Sequence, residues 1–408
     1  MSKRMEDVGV QLSFSRYDYV MNSPVRSRRM QARKPVAMGS GYAGRTGFAC
    51  LAAFCFSGTS YANPDVVNDS FSSVRTTQEK TEFGLRNGSF LAVPVPFSNP
   101  VIGSGLSLGA GYLFQLSPDA DTSFVGLGIM GSDNGSEAYG AAANLSFDSG
   151  WGFNIAVAEA DIRYDLFFGD LKLPIEQDGE LVNGGLSYAV TPQSTFGITA
   201  RYLNTTIGLR TSDTPIPDDL LPDLNLELGT LGLNYEWDLR DDSDYPTDGS
   251  LLTLAISRGF SLSDTSRNYD FASANFDTYR TVGSEKVVAG RLSACASSSD
   301  APFFDQCSIG FTDSFRGFTP TQFYDARLFS VQAEYRQRLG SRFGFVAFGG
   351  MGWTGESFSS LTDNGDRIAG GVGLRYRVSK KFPVDLSVDV STNNDDEEFL
   401  YIFVGQRF

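Results

Sequence analysis

The segment Leu328–Leu339, LFSVQAEYRQRL, sets Phe329, Val331, Ala333 and Tyr335 on one face and Ser330, Gln332, Glu334, Arg336 and Arg338 on the other. Arg367–Val378 repeats the arrangement, with Ile368, Val372, Leu374 and Tyr376 against Arg367, Arg375 and Arg377. In Val384–Val390, Val and Leu alternate strictly with Asp385, Ser387 and Asp389. A period of two with one apolar and one charged face belongs to a strand, not a helix. The apolar faces need a cover, and the sequence offers no helix or second sheet to match them. A lipid bilayer would supply it.

Working outward, no apolar run of about 18 residues follows Ala62, so no membrane-spanning helix is expected there. The chain nonetheless carries 33 Phe, 17 Tyr, 3 Trp and 44 Gly, spread through alternating segments. That profile fits an all-β transmembrane antiparallel barrel. A secreted β-sandwich also alternates, with its apolar face inward, so alternation alone leaves it as the competing fold.

The amino-terminal part reads as a targeting segment. Thr46–Gly58 is a short apolar run behind Arg33, Lys34 and Arg45, and Ser60-Tyr61-Ala62 has small residues at minus three and minus one. Residues 1–62 are therefore expected to be an over-extended start plus a secretory signal peptide, cleaved near Ala62. Neither Cys50 nor Cys55 has the flanks of a lipoprotein box. Taking nine basic and three acidic side chains away from the 33 and 48 of the whole chain leaves a net charge of −21. Such a chain repels nucleic acid. Two of the four cysteines go with the signal, leaving Cys295 and Cys307. In an oxidising compartment this pair predicts a disulfide, worth about 3 kcal/mol by loop entropy. Metal binding is the poorer alternative, because two thiols in a chain with no histidine make a weak site.

Residues 63–82 read as a short periplasmic lead-in and 83–408 as the barrel. About sixteen strand candidates run from Arg86–Val95 to Glu398–Phe408. An even number puts both ends in the periplasm, with long connections after odd strands and short turns after even ones. Thr206–Asp223 and Ala296–Arg327 are long and follow the seventh and eleventh. Phe147–Trp151, Thr191–Ser194 and Gly340–Arg342 are short and follow even strands, whereas Arg240–Gly249 is longer than a periplasmic turn needs. In the last strand, Leu400, Ile402, Val404 and Phe408 fall on one face, the pattern of a C-terminal assembly signal. Gln406 stands where an aromatic is commoner.

Several short motifs occur in a telling order. Pro94-Val95-Pro96, Asn99-Pro100 and Gly103-Ser104-Gly105-Leu106 open the barrel, and Asp238-Leu239-Arg240-Asp241 with Pro246 and Gly249 marks a turn. Phe315-Arg316-Gly317-Phe318 closes the long stretch between strands eleven and twelve. Gly371–Tyr376, Asp389-Val390 and Gly405-Gln406-Arg407-Phe408 end the chain. Together they resemble the bacterial surface antigen family, the BamA/TamA superfamily of outer-membrane barrels, over essentially Phe83–Phe408. The resemblance implies a sixteen-stranded barrel with its sixth extracellular loop folded into the lumen. It also implies a role in outer-membrane protein insertion or macromolecule translocation through a seam between the first and last strands. Two departures stand out. Relatives with that role carry periplasmic POTRA repeats, whereas some twenty residues separate Asn63 from the first strand, so a separate periplasmic protein is an expected partner. The family's inward Asp in strand thirteen is replaced within Phe348-Gly349-Gly350-Met351-Gly352.

If the loop enters the lumen, Arg316 needs a carboxylate, since an unpaired buried charge costs several kcal/mol. Glu334, Asp385 and Asp389 are the inward candidates, with a bidentate bond to Asp389 or Glu334 expected. Because Pro94 and Pro96 lack an N–H, the upper end of the first-to-last seam is expected to be its weak part. Without histidine, Ser-His and Asp-His hydrolase sites and histidine-held metals are excluded, and no enzyme activity or cofactor is expected. Asp395-Asp396-Glu397-Glu398 reads as a solvated charge run or as a divalent-cation bridge to lipopolysaccharide, which with outer-membrane lipid is the expected surrounding. A passive or plugged pore, or a structural barrel with no insertase activity, is the alternative function, and a lumenal lipid or polysaccharide handler remains open.

Overall fold

The computed structural model describes residues 88–408 apart from 118–119, 170, 211–223, 244, 264–267 and 378–384. The signal run, the Ala62 site and the 63–82 lead-in lie outside the described residues. The strands are β1 (Ser89–Asn99), β2 (Gly103–Gln115), β3 (Thr122–Ser132), β4 (Glu137–Ser146), β5 (Trp151–Phe168) and β6 (Leu171–Thr191). They continue with β7 (Ser194–Leu209), β8 (Leu224–Asp238), β9 (Gly249–Ser261), β10 (Asn268–Thr281) and β11 (Lys286–Ser297). Two short strands, β12 (Cys307–Ser308) and β13 (Tyr324–Asp325), pair within the long loop. The wall resumes with β14 (Arg327–Leu339), β15 (Phe343–Gly355), β16 (Arg367–Arg377), β17 (Asp385–Asn393) and β18 (Glu398–Val404).

Sixteen of these strands close into one antiparallel barrel, with β1 beside β18 and β11 beside β14. The alternation read from the sequence resolves into inside and outside. Leu374 is 66% exposed on the outer surface, while its chain neighbour Arg375 is 2% exposed and faces the lumen. Leu127, Ile198, Leu233 and Val372 are likewise exposed, and Glu334, Asp385 and Asp389 are buried. Greasy outside and charged inside is the reverse of a β-sandwich, so the competing fold is ruled out. Cross-strand aromatic pairs Trp151–Tyr188, Phe196–Tyr235 and Phe343–Tyr376 ring the end of the barrel that carries the even-strand turns. Such rings sit where lipid meets water.

Connection lengths depart from the expected rule. Long segments do follow β7, β11 and β15, but 100–102 and 133–136 are tight although they follow odd strands. Between β5 and β6 only two residues intervene, because the strands themselves take up the length at 18 and 21 residues. That is roughly twice the 9–11 residues a tilted strand needs to cross a membrane. The outer ends of these strands therefore project past the apolar belt. They stay ordered because their inner face, Ile162, Tyr164 and Leu166, packs against Phe303, Phe304 and Tyr324 of the long loop.

The closing seam is thin. β1 pairs β2 over eleven positions, yet it meets β18 in one register, Ser98↔Ile402. Since Pro94 and Pro96 lack an N–H while the β1–β2 ladder is unbroken, their nitrogens are directed at β18. The expected weak point is thus misplaced. The surviving pair lies at the Asn99 end of β1, and the segment from Ser89 to Val95 has no partner in β18. The cause is the early end of β18: Gly405 has φ +94°, and the chain turns inward there.

The lumenal loop and the charged barrel wall

The residues after β11 fold back into the barrel and are fixed at successive points. Phe303–Asp305 forms a single helical turn. Asp305 from that turn takes two hydrogen bonds from Arg201 of β7, Nη1 at 3.0 Å and Nη2 at 2.5 Å, and one from the Tyr269 hydroxyl of β10. A disulfide joins Cys307 to Cys295 of β11 with Cα atoms 5.7 Å apart. The sulfurs are buried among Phe271, Ile309, Phe315 and Phe318. Asp313 then shapes the tip, because its Oδ1 accepts from the N–H groups of Gly310 (2.8 Å) and Phe315 (3.1 Å). Burial pushes the Asp313 carboxyl up, and these hydrogen bonds work against that shift. Gln332 of β14 donates to the Asp313 carbonyl at 2.8 Å, tying the tip to the wall.

Phe315-Arg316-Gly317-Phe318 sits at the centre. Gly317 has φ +116°, and a Cβ there would lie 2.4 Å from the Ala369 Cβ, so only glycine fits. Its N–H donates to the Tyr401 hydroxyl of β18 at 2.8 Å. The Arg316 side chain is 2% exposed. Nη1 donates to Asp389 Oδ2 on β17, Nη2 donates to Glu334 Oε2 on β14, and the guanidinium lies 3.5 Å from the Phe348 ring centroid. One arginine thus spans two carboxylates on separate strands instead of forming the bidentate bond expected with one. Phe348 supplies the ring face where the family pattern carries its acid two positions on.

The charged wall continues beyond Arg316. Asp389 also receives Arg375 of β16, and Glu334 Oε1 receives Arg336 Nε at 2.7 Å. Asp385 does not reach Arg316; it is taken by Arg338 and Arg377, which lie nearer the turn end. Gln406 links the two groups, accepting from Arg375 Nε and donating to Asp385 Oδ2, each at 3.0 Å. The residue that breaks the aromatic pattern is therefore a lumenal bridge.

Phe408 needs a correction as well. Leu400 is exposed on the outer surface, but Phe408 is buried in the lumen with Tyr279, Val287, Ala289 and Tyr245, 5.0 Å from the Arg291 guanidinium. The turn at Gly405 separates it from the face that Leu400, Ile402 and Val404 share. Sequence reasoning missed Asp305, Arg201 and Tyr401 altogether. Their contacts join residues 36 to 104 positions apart, and no local spacing signals them.

The Asp238–Gly249 turn shows what its motif does. Asp238 holds Arg240, with contacts of 3.1 and 3.0 Å. Asp241 accepts from the N–H groups of Thr247 (2.8 Å) and Asp248 (3.0 Å) and from the Thr247 hydroxyl. Burial alone would raise the Asp241 pKa, but these hydrogen bonds outweigh it and hold the carboxyl below its usual range.

A closed antiparallel barrel with an apolar exterior, a charged lumen and an inserted, arginine-anchored loop is a transmembrane β-barrel with an internal loop. Residues 138–408 match the Omp85 superfamily domain, and the chain belongs to that superfamily of outer-membrane barrels. BamA from Haemophilus ducreyi lacking POTRA domains 1–3 shares the fold at a TM-score of 0.55 and 15% identity, covering 83% of this chain and 78% of that one. CdiB from Escherichia coli matches at 0.52 and 16%, covering 84% and 70%. CdiB from Acinetobacter baumannii matches at 0.51 and 13%, covering 78% of this chain and 59% of its own. No curated protein shows significant similarity to this sequence.

Proposed function

We propose that this chain acts in outer-membrane protein insertion or macromolecule translocation through a lateral seam between β1 and β18, with the loop remaining in the lumen. The observation that carries the reading is the single register, Ser98↔Ile402, closing the barrel, beside seven between β17 and β18. An edge of unpaired backbone groups can template an incoming strand, and the Ser89–Val95 edge is of that kind. Outer-membrane lipid and lipopolysaccharide would surround the barrel, and a periplasmic partner protein would deliver the client. The secreted chain would reach this membrane after cleavage near Ala62.

The rival is a plugged barrel with no transport role. The disulfide favours it, since a covalent link to β11 keeps the loop inside whatever the seam does. A cysteine pair at Ser98 and Ile402, oxidised in vesicles, separates the two. The proposal expects client insertion to stop on cross-linking and to return on selective reduction. Full activity with the seam locked would overturn it.

A further inference from the structure

The disulfide between Cys295 and Cys307 is buried by residues that lie, with one exception, later in the chain than either cysteine. Cys295 stands on the lumenal face of β11, 2% exposed, opposite Ser273 of β10 and Leu328 of β14. Cys307 starts β12 and is wholly buried. Their cover is Phe271 of β10, then Ile309, Phe315, Phe318 and Phe323 of the loop, Leu328 of β14 and Ala369 of β16. Only Phe271 precedes the pair. The tip that carries Phe315 and Phe318 is in turn fixed to the wall, because Arg316 donates to Asp389 and Glu334 and the Gly317 N–H donates to Tyr401. Baring the sulfurs in the folded barrel therefore means withdrawing that tip and taking a cation from two buried carboxylates, which is costly.

Formation of the bond needs an oxidant that touches sulfur. A Cys thiolate attacks one sulfur of an external disulfide and expels the other as a thiolate. The second cysteine, losing its proton, then attacks the mixed disulfide that results. The reagent departs as two thiols, carrying the pair of electrons and the two protons. Each attack runs in line with the sulfur–sulfur bond being broken, so a reagent that cannot reach Cys295 or Cys307 cannot react. In the open chain nothing covers either thiol. They lie twelve positions apart, and a ten-residue loop closes in roughly 10–100 ns, so they meet without help from any strand.

We propose that an external disulfide joins Cys295 to Cys307 on the open chain, and that β14–β18 then close the barrel around a loop already tied to β11. In a chain secreted amino-terminus first, both cysteines reach an oxidising compartment before Leu328 and Ala369, the wall residues that will cover them. That timing rests on the secretion proposed above; the burial argument does not, and neither depends on the seam. Closing first would instead seal two thiols beneath the tip and leave the loop without its covalent tether.

The full chain carrying Cys50→Ser and Cys55→Ser, refolded into detergent micelles with its remaining cysteines reduced, tests this order. Heat-modifiable gel mobility reports closure, and a polyethylene-glycol maleimide added after denaturation counts free thiols. Oxidised glutathione is supplied to the closed reduced barrel and, in parallel, to the same chain in urea. The chain in urea is expected to lose both thiols at least about tenfold faster, since the closed barrel reacts only through local opening. A smaller ratio would mean that the sulfurs stay within reach after closure and would overturn the proposal. If the reduced chain never gives the heat-modifiable form while the pre-oxidised chain does, closure requires the bond and the order is upheld. Pulse-labelled cells quenched with N-ethylmaleimide supply a second measurement on the unaltered chain. An oxidised, unfolded species should precede the folded one, whereas a folded species with both thiols free that is oxidised later would contradict the proposal. A chain that keeps its amino-terminal segment and both thiols throughout would refute the secretion reading, and the micelle ratio then decides the order alone.

Discussion

The β5–β6 wall and the β1–β18 seam are built from the same kind of strand and differ in how completely they are joined. From Trp151↔Tyr188 to Phe168↔Leu171 the wall runs through eighteen consecutive registers without a break. The seam has one. Each backbone hydrogen bond contributes only about 1 kcal/mol net, so the contrast comes from number. One side of the barrel is laddered along its whole length, and the other is laddered at a single position. Closure of a barrel removes its edges, and here a stretch of edge remains.

Proline substitution breaks the comparison most sharply. Val157→Pro, in the middle of β5 with partners on both sides, is expected to abolish the heat-modifiable folded form, because a ladder bond is lost and the ring clashes. Ala92→Pro, at the parity of Pro94 and Pro96 and therefore directed at the unpaired side of β1, is expected to leave that form intact. Equal damage at both sites would mean that the β1 edge is paired after all.

The loop joins the two regions, since Thr321 holds it to β5 by donating to the Asp165 carbonyl at 2.6 Å and Tyr401 holds it to β18. Arg316→Ala takes one of two guanidinium partners from Glu334 and from Asp389, leaving them Arg336 and Arg375, and roughly 3 kcal/mol of stability, the low end for a broken buried pair, should disappear. Combining it with Asp389→Asn should cost less than the two losses added, as read from thermal unfolding in detergent; strict additivity would argue against a direct pair. Replacing Cys295 and Cys307 together by serine should cost about 3 kcal/mol. It should also make the loop sensitive to protease while the seam keeps its behaviour.

The smallest expected effect is at the turn end. Asp241 has a lowered pKa in the folded chain, so its contribution is present above the usual carboxylate value of about 3.9 and fades as pH falls through the folded value. The Asp238–Gly249 turn should loosen only in acid, and Asp241→Asn should flatten that pH dependence, measured by limited proteolysis between pH 3 and about 6.

Much of this was legible because a membrane strand declares itself by parity. Phe329 and Val331 against Glu334 and Arg336 fix inside and outside at once, and the Phe-Arg-Gly-Phe motif flagged the loop's anchor. What stayed hidden depends on distance or on one backbone angle. Asp305 finds Arg201 across 104 positions, and no pattern within either segment announces it. The turn at Gly405 sends Phe408 into the lumen, although alternation places it with Leu400. The full length of β6 is not legible either, because Leu171–Gly179 carries Lys172, Glu176 and Asp178, which look like loop when the strand has left the lipid.

Amide hydrogen exchange along β1 and β5 in lipid nanodiscs tests the central claim most directly. The amides of Phe90 and Ala92, at the parity directed at the unpaired side of β1, should exchange orders of magnitude faster than those of Ile155–Ala160 under the same conditions, because one edge is open and the other strand is bonded on both sides. Comparable protection of the two segments would show a sealed barrel and contradict the account.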